Sequence, residues 1–343
     1  MSAEATACIL GCSGPRLTPS ERALFRDARP WGFIVFKRNI ETPDQLRGLV
    51  EELRGCVDRP GAPILIDQEG GRVQRLGPPH WRRFPPGRAY GQLAANDPLL
   101  RREIVRLGAR LLAHDLAMLG INVDCVPVLD VPAPDGHEII GDRAYGDTAD
   151  EVALLGRAAA EGLIAGGVLP IIKHIPGHGR ARGDSHLDLP VVEASALELD
   201  ERDFAPFRVL SDMPIAMTAH VVYAAFDARR PATTSRKLIG EVIRRRIGFG
   251  GLLVSDDLSM KALSGDFTAR AKASLAAGCD IVLHCNGDPK EMAAVIAGTR
   301  VLAGKAKARA SAALARLARV PEPFDAEEGR ARFDAAFDGK WAA

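Results

Sequence analysis

Short apolar runs recur along the whole chain: ACILG (7–11), GFIVF (32–36), PILI (63–66), INVDCVPVL (121–129), LPII (169–172), PIAMTA (214–219), GLLV (251–254) and DIVLHC (280–285). Most are too short for helices and too continuously apolar for half-exposed strands, which is the pattern of parallel strands covered on both faces. Parallel neighbours need crossovers, and the intervening segments read as helices. Two of these open alike. LTPSE (17–21) and ETPDQ (41–45) set a threonine at the cap, a proline at the first helical position, and Glu21 or Gln45 three residues after the cap. In SRKLIGEVIRRRIG (235–248), Leu238, Ile239, Val242 and Ile243 fall on one face with basic residues opposite and Gly248 as a stop.

Eight alternations of strand and helix predict an α/β fold, a (β/α)8 barrel of the TIM type. A doubly wound open sheet is the structural alternative, but the strand count and the lack of GxGxxG after any strand count against it. After Cys285 too little chain remains for a second domain. A helix around 303–319 is expected there, so the barrel takes residues 1–320 and 321–343 form a C-terminal extension.

Composition narrows the partners. The chain has 343 residues, 47% hydrophobic and 26% charged, with a formal net charge of +1. That balance gives no electrostatic reason to expect nucleic acid or an anionic membrane, and points to a neutral or modestly charged small molecule. Six cysteines without a CxxC pair favour buried reduced thiols and a cytoplasmic location. The N-terminal stretch has no Lys or Arg and too short an apolar run for a signal segment; ILGC, ending at Cys12, lacks the basic start of a lipoprotein leader. No window is long and apolar enough for a membrane helix. A monomer is expected.

In such a barrel the active site forms where the strands end, so the residues after each apolar run are the ones to inspect. They are Asp67, Gln68 and Glu69; Asp130; Lys173 and His174; His220; Ser255, Asp256 and Asp257; and His284, Cys285 and Asn286. Wet loops explain any one of these more readily than all six strand ends together.

The densest stretch is KHIPGHGRARGDSH (173–186). His174 and His178 have the spacing of a helical zinc pair, but Pro176, Gly177 and Gly179 forbid a helix, which leaves metal binding only to some folded loop. The glycines do not match a phosphate-binding GxxxxGK[ST] loop. A polar, glycine-rich loop remains, carrying Asp184-Ser185-His186. Asp and His two apart on extended chain can face the same way, so that the carboxylate orients an imidazole acting as acid or base.

Four motifs in order, IDQEGGRVQRL (66–76), IIGDRAYG (139–146), KHIPGHGRARGDSH (173–186) and SDDLSM (255–260), resemble the β-N-acetylglucosaminidases of glycoside hydrolase family 3, in their single-domain bacterial form. The resemblance implies that Asp256 is a nucleophile forming a covalent glycosyl-enzyme. It implies that His186, paired with Asp184, is the general acid/base, and that Asp67, Arg75, Arg143, Lys173 and His174 line the sugar site. It implies a substrate of GlcNAc linked to 1,6-anhydro-MurNAc peptides in peptidoglycan recycling; with no metal pattern at the strand ends, neither metal nor cofactor is expected. Ile175 stands where the family usually has an aromatic residue.

This division of labour suits a retaining glycosidase, in which one carboxylate attacks while a second group gives and then removes a proton. A loop bearing the acid/base is expected to be open or variable without ligand, with Pro176 through Gly183 as its hinge-rich arm and His178 as support. Asp257 is expected to face away from the pocket. His220 and His284 are either pocket floor or core, and Trp81 could meet a sugar. Another family 3 β-glycosidase, a β-GlcNAc phosphorylase, or a sugar-binding barrel without catalysis are the alternatives.

Overall fold

The computed structural model describes residues 4–93, 97–134, 136–185 and 187–341. Eight strands form the core: β1 (Thr6–Leu10), β2 (Pro30–Val35), β3 (Ile64–Ile66), β4 (Val123–Asp124), β5 (Leu169–Ile175), β6 (Ile215–Thr218), β7 (Leu252–Asp257) and β8 (Ile281–His284). All pair in parallel in chain order, and β1 closes on β8 with Cys8 opposite Val282. This is the (β/α)8 barrel, and each apolar run supplies one strand. Ile9, Ile171, Ile215, Leu252 and Ile281 are fully buried, as strands between a packed interior and a ring of helices must be.

The run 121–129 gives only two residues of regular strand. The ring of Pro127 carries no N–H, and the chain rejoins the barrel at one bridge, Val128 beside Lys173, where Leu129 N–H donates to Lys173 O at 2.6 Å.

The helix starts follow their sequence signals. Over helix Pro19–Ala28, Thr18 Oγ1 accepts the Glu21 N–H at 3.2 Å and the Glu21 carboxylate accepts the Thr18 N–H at 2.8 Å. Over Pro43–Cys56, Thr42 caps Gln45 in the same way, but Gln45 Oε1 takes the N–H of Glu41, one residue before the cap. The segment Leu238–Arg246 is helical and buries Leu238, Ile239, Val242 and Ile243, but it is wound more widely, with Ile247 N–H reaching Val242 O at 2.9 Å.

Beyond the barrel, helix Gly304–Ala315 is followed by Ala326–Ala336, which packs on the long helix Pro98–Ala117. Phe333 is fully buried there, 5.8 Å from Phe84 and 6.1 Å from Tyr90 between ring centres. Arg330 pairs with Asp115 at 3.0 Å, and Arg82 donates to Trp341 O at 2.9 Å. All six cysteines are free thiols, and among the described residues no helix is long and apolar enough to cross a membrane.

Two register shifts position the site. Ile172 faces Ala216 but Ile175 faces Thr218; Val254 faces Ile281 but Asp257 faces Leu283. Each inserts one extra residue near the C-terminal end of its strand, at Lys173–His174 on β5 and at Ser255–Asp256 on β7. Bulges of this kind re-aim side chains. The Lys173–His174 peptide is cis.

Candidate active site

The buried half of the site is an ion network across three strand ends. Lys173 Nζ lies 2.9 Å from Asp67 Oδ1 and 2.6 Å from Glu69 Oε1, with its side chain 2% exposed. Arg75 meets the other Asp67 oxygen at 3.0 Å, and Arg143 clasps Glu69 with two bonds, at 2.8 and 2.7 Å. Burial alone would raise the Asp67 and Glu69 carboxyls. Lys173 and Arg75 instead hold Asp67 far below its usual range, and Arg143 with Lys173 holds Glu69 at about 2. The Lys173 ammonium, which burial disfavours, is held above its ordinary value by the same two acids. The structure thus brings Asp67, Arg75, Arg143 and Lys173 together, and Glu69 joins them as the residue that neutralises two of their cations.

A second cluster is built on Asp130, at the point where the chain leaves β4. His174 Nδ1–H donates to Asp130 Oδ2 at 2.7 Å, while Asp130 Oδ1 accepts the backbone N–H of His178 at 2.6 Å and of His174 at 3.2 Å. Burial opposes its charge, but His174 and His178 keep the Asp130 carboxyl near 2. A carboxylate on Nδ1 fixes the His174 ring and leaves Nε2 for whatever enters the mouth.

Asp256 stands on the β7 bulge, half-buried. Its Oδ1 accepts the Asp257 N–H at 2.8 Å, and among the described residues no Lys or Arg pairs with it directly. Burial pushes its carboxyl up, yet the fields of His174, His220 and Lys173, together with that hydrogen bond, leave it below the ordinary carboxylate value. The result is an ionised oxygen with lone pairs uncommitted to a cation.

Its neighbour is spent differently. Asp257 Oδ1 accepts the Ser259 and Cys285 backbone N–H groups at 3.0 Å each, tying the loop after β7 to the end of β8. His220 is fully buried: Nε2–H donates to Asp257 O at 3.0 Å and Nδ1 meets Thr233 Oγ1 at 2.7 Å. It braces the bulge, and burial keeps its imidazole below the ordinary histidine value. His284 is buried edge-on against Phe267, with ring centres 5.1 Å apart.

The glycine-rich loop differs from expectation. Pro176 through Ala181, apart from half-buried Arg180, is buried and forms wall, not arm. Tyr223 OH donates to Gly177 O at 2.6 Å, Ala133 N–H to Gly179 O at 3.1 Å, Arg180 Nε–H to Asp203 at 2.7 Å, and His137 N–H to Ala181 O at 2.8 Å. A Cβ on Gly179 would sit 2.0 Å from Val131 O, so this glycine serves close approach of two backbones rather than hinging. This packing corrects the expectation of a hinge-rich arm for 176–181, whereas Arg182 is exposed and Gly183 half-buried. Ser185 is buried again, its Oγ 3.1 Å from His178 Nε2 and its carbonyl accepting the Ala262 N–H at 3.2 Å. Asp184 is half-buried between them, and His186 lies outside the described residues.

Trp81 lines a cavity of about 490 Å³ that it shares with Arg75 of the first cluster and with Lys37, Arg83 and Trp341.

Neither Glu69 nor Asp130 carries a role in the sequence reading, although both follow apolar runs at strand ends. Their partners are distant in sequence, and only the closed barrel brings them together.

Among the described residues, the C-terminal mouth of this parallel barrel presents an ionised carboxylate beside imidazoles and a braced ion network, the layout of a (β/α)8 enzyme. The chain matches the glycosyl hydrolase family 3 N-terminal domain over residues 16–320, and it belongs to that family. A β-hexosaminidase of Methylococcus capsulatus is 40% identical over 287 residues, covering 82% of this chain and 83% of that protein. One of Alkalilimnicola ehrlichii is 39% identical over 292 residues, 84% and 82% of the two chains. Among solved structures, NagZ from Neisseria gonorrhoeae in complex with N-trifluoroacetyl-D-glucosamine superimposes with a TM-score of 0.85 at 33% identity, covering 99% of both chains.

Proposed function

We infer that the protein is a retaining exo-β-N-acetylglucosaminidase. The observation that carries this is Asp256: ionised, half-buried, without a Lys or Arg partner among the described residues, and set by the β7 bulge at the mouth of a family 3 barrel. In this reading an Asp256 oxygen attacks the anomeric carbon while His186, oriented by Asp184, gives its proton to the departing glycosidic oxygen. A glycosyl ester to Asp256 results. Water then attacks the ester as His186 takes back a proton, which releases GlcNAc with its configuration retained. Asp67, Arg75, Arg143, Lys173 and His174 hold the sugar. The paired network keeps their donors and acceptors fixed before substrate arrives, which is the condition for strong electrostatic stabilisation.

The similarity to the gonococcal NagZ, bound there to an N-acylated glucosamine and covering almost all of both chains, supports a GlcNAc-type sugar in the site; the reading extends this to GlcNAc-1,6-anhydro-MurNAc peptides and peptidoglycan recycling. The six free thiols support a cytoplasmic site of action.

The test is release of 4-nitrophenol from 4-nitrophenyl β-GlcNAc, with and without phosphate. Release in water alone with GlcNAc as product is expected. No release by folded protein refutes the reading, and GlcNAc 1-phosphate as the main product converts it to phosphorolysis.

A further inference from the structure

We propose that a basic groove beside the mouth binds carboxylate groups on the aglycone of the substrate. The groove has a volume of about 500 Å³, and its charged lining is wholly cationic: Arg229, Arg230, Arg236 and Arg270. Each other cavity described mixes acids with its cations, as where Glu41 joins Lys37 and Arg83, or Glu138, Asp142 and Asp147 join Arg88 and Arg202. A concave surface of one sign focuses its field on an incoming counter-charge.

The groove is joined to the reactive loops. Leu189, in its wall, comes three residues after His186. Ala262, also in its wall, follows Asp256 on the loop after β7 and donates its N–H to Ser185 O at 3.2 Å. Arg270 donates to Leu258 O at 2.6 Å and to Met260 O at 3.1 Å, so one groove cation is fastened to the chain immediately beyond the nucleophile candidate.

The remaining cations ride on a braced segment. Between them Ala232, Thr233 and Ser235 are buried; Thr233 Oγ1 meets His220 Nδ1 at 2.7 Å, and Ser235 Oγ–H donates to Asp227 at 2.7 Å. Arg229, Arg230 and Arg236 themselves are exposed. From outside the lining, Asp227 attracts Arg230, and Asp257 and Glu291 attract Arg270, offsetting part of two charges. The balance in the groove stays positive. An aglycone carrying several carboxylates, as a short acidic peptide does, supplies the matching charge; a neutral aglycone does not.

This rests on the glycosidase reading, and the experiment separates the two. Two β-GlcNAc substrates are compared, one with the neutral 4-nitrophenyl aglycone and one whose aglycone sugar bears a lactyl dipeptide with two carboxylates. In the variant combining Arg229→Ala, Arg230→Ala and Arg236→Ala, the ratio of kcat/KM for the anionic over the neutral substrate falls roughly five- to tenfold, the sum of a few exposed ion pairs. The wild-type ratio also falls as salt is raised, because exposed charges are screened. Lys305→Ala, on the far C-terminal helix, leaves the ratio unchanged. An unchanged ratio in the triple variant overturns the groove proposal while the hydrolase reading stands. Failure of the wild type to cleave either substrate overturns the hydrolase reading itself.

Discussion

His178 Nε2 and Ser185 Oγ lie 3.1 Å apart, and both side chains are buried. His178 is anchored through its backbone N–H to Asp130, which also orients His174. Ser185 is bonded covalently to Asp184 on one side and His186 on the other. The contact therefore transmits the position of the sugar-site wall to the two acid/base candidates, and Ser185 acts as a positioning residue.

Ser185→Ala removes that tie and leaves a buried imidazole nitrogen unpaired, a cost of about 1–3 kcal/mol. Its signature is in the leaving group. With phenyl β-GlcNAc, whose departure needs a proton, kcat should drop about tenfold or more, whereas 2,4-dinitrophenyl β-GlcNAc, which needs little help, should lose much less. Equal losses on both substrates would reduce Ser185 to a purely structural contact.

For the nucleophile, Asp256→Ala should lower kcat by at least about a thousandfold, on the order of 4 kcal/mol of barrier. Thermal unfolding should change little, because among the described residues no Lys or Arg is paired with Asp256. Mass spectrometry of the wild type with 2-fluoro-substituted GlcNAc analogues should show a covalent adduct on the Asp256 peptide. An adduct on any other carboxylate would reassign the role.

Much of this layout was legible from residue order and much was not. The eight strands could be read because both faces of each are covered, which makes the runs continuously apolar, and the Thr-Pro caps could be read because their hydrogen bonds are local. The bulges at Lys173–His174 and Ser255–Asp256 leave no mark in composition. Simple alternation along a strand would send Lys173 and His174 to opposite sides, yet Lys173 reaches Asp67 and Glu69 while His174 reaches Asp130. The glycines of PGHG look like hinges in sequence, and Gly179 is instead a point where two backbones touch. Sequence shows where backbone freedom exists; packing decides whether it is used for motion or for contact.

Glu69 gives a pH test. Its carboxyl is near 2 in the fold and about 4.3 in an unfolded chain. A lowered carboxylate contributes stability that is present above pH 4.3 and is lost as pH falls toward 2. Glu69→Gln removes that contribution and leaves Lys173 and Arg143 short of a counter-charge, so at pH 7 the variant should be less stable by roughly 3–5 kcal/mol. The gap between variant and wild type should narrow as the pH is lowered from about 4 to 2, followed by urea unfolding. A gap that stays constant across that window would show that Glu69 is not ionised against its two cations.

The C-terminal segment should behave as part of the barrel in stability, although it begins after the last barrel element. Phe333 is fully buried against Phe84 and Tyr90, and the helix that carries it is tied to the long helix by Arg330–Asp115. Phe333→Ala removes a large buried ring at a cost of about 3–5 kcal/mol. Ending the chain at residue 320 should cost at least as much, since it uncovers the apolar faces of Phe84 and Tyr90 to water. Both variants should unfold at lower temperature in a single transition with the barrel. A truncated chain that melts with the wild type would instead make 321–343 an appendage with no share in the core.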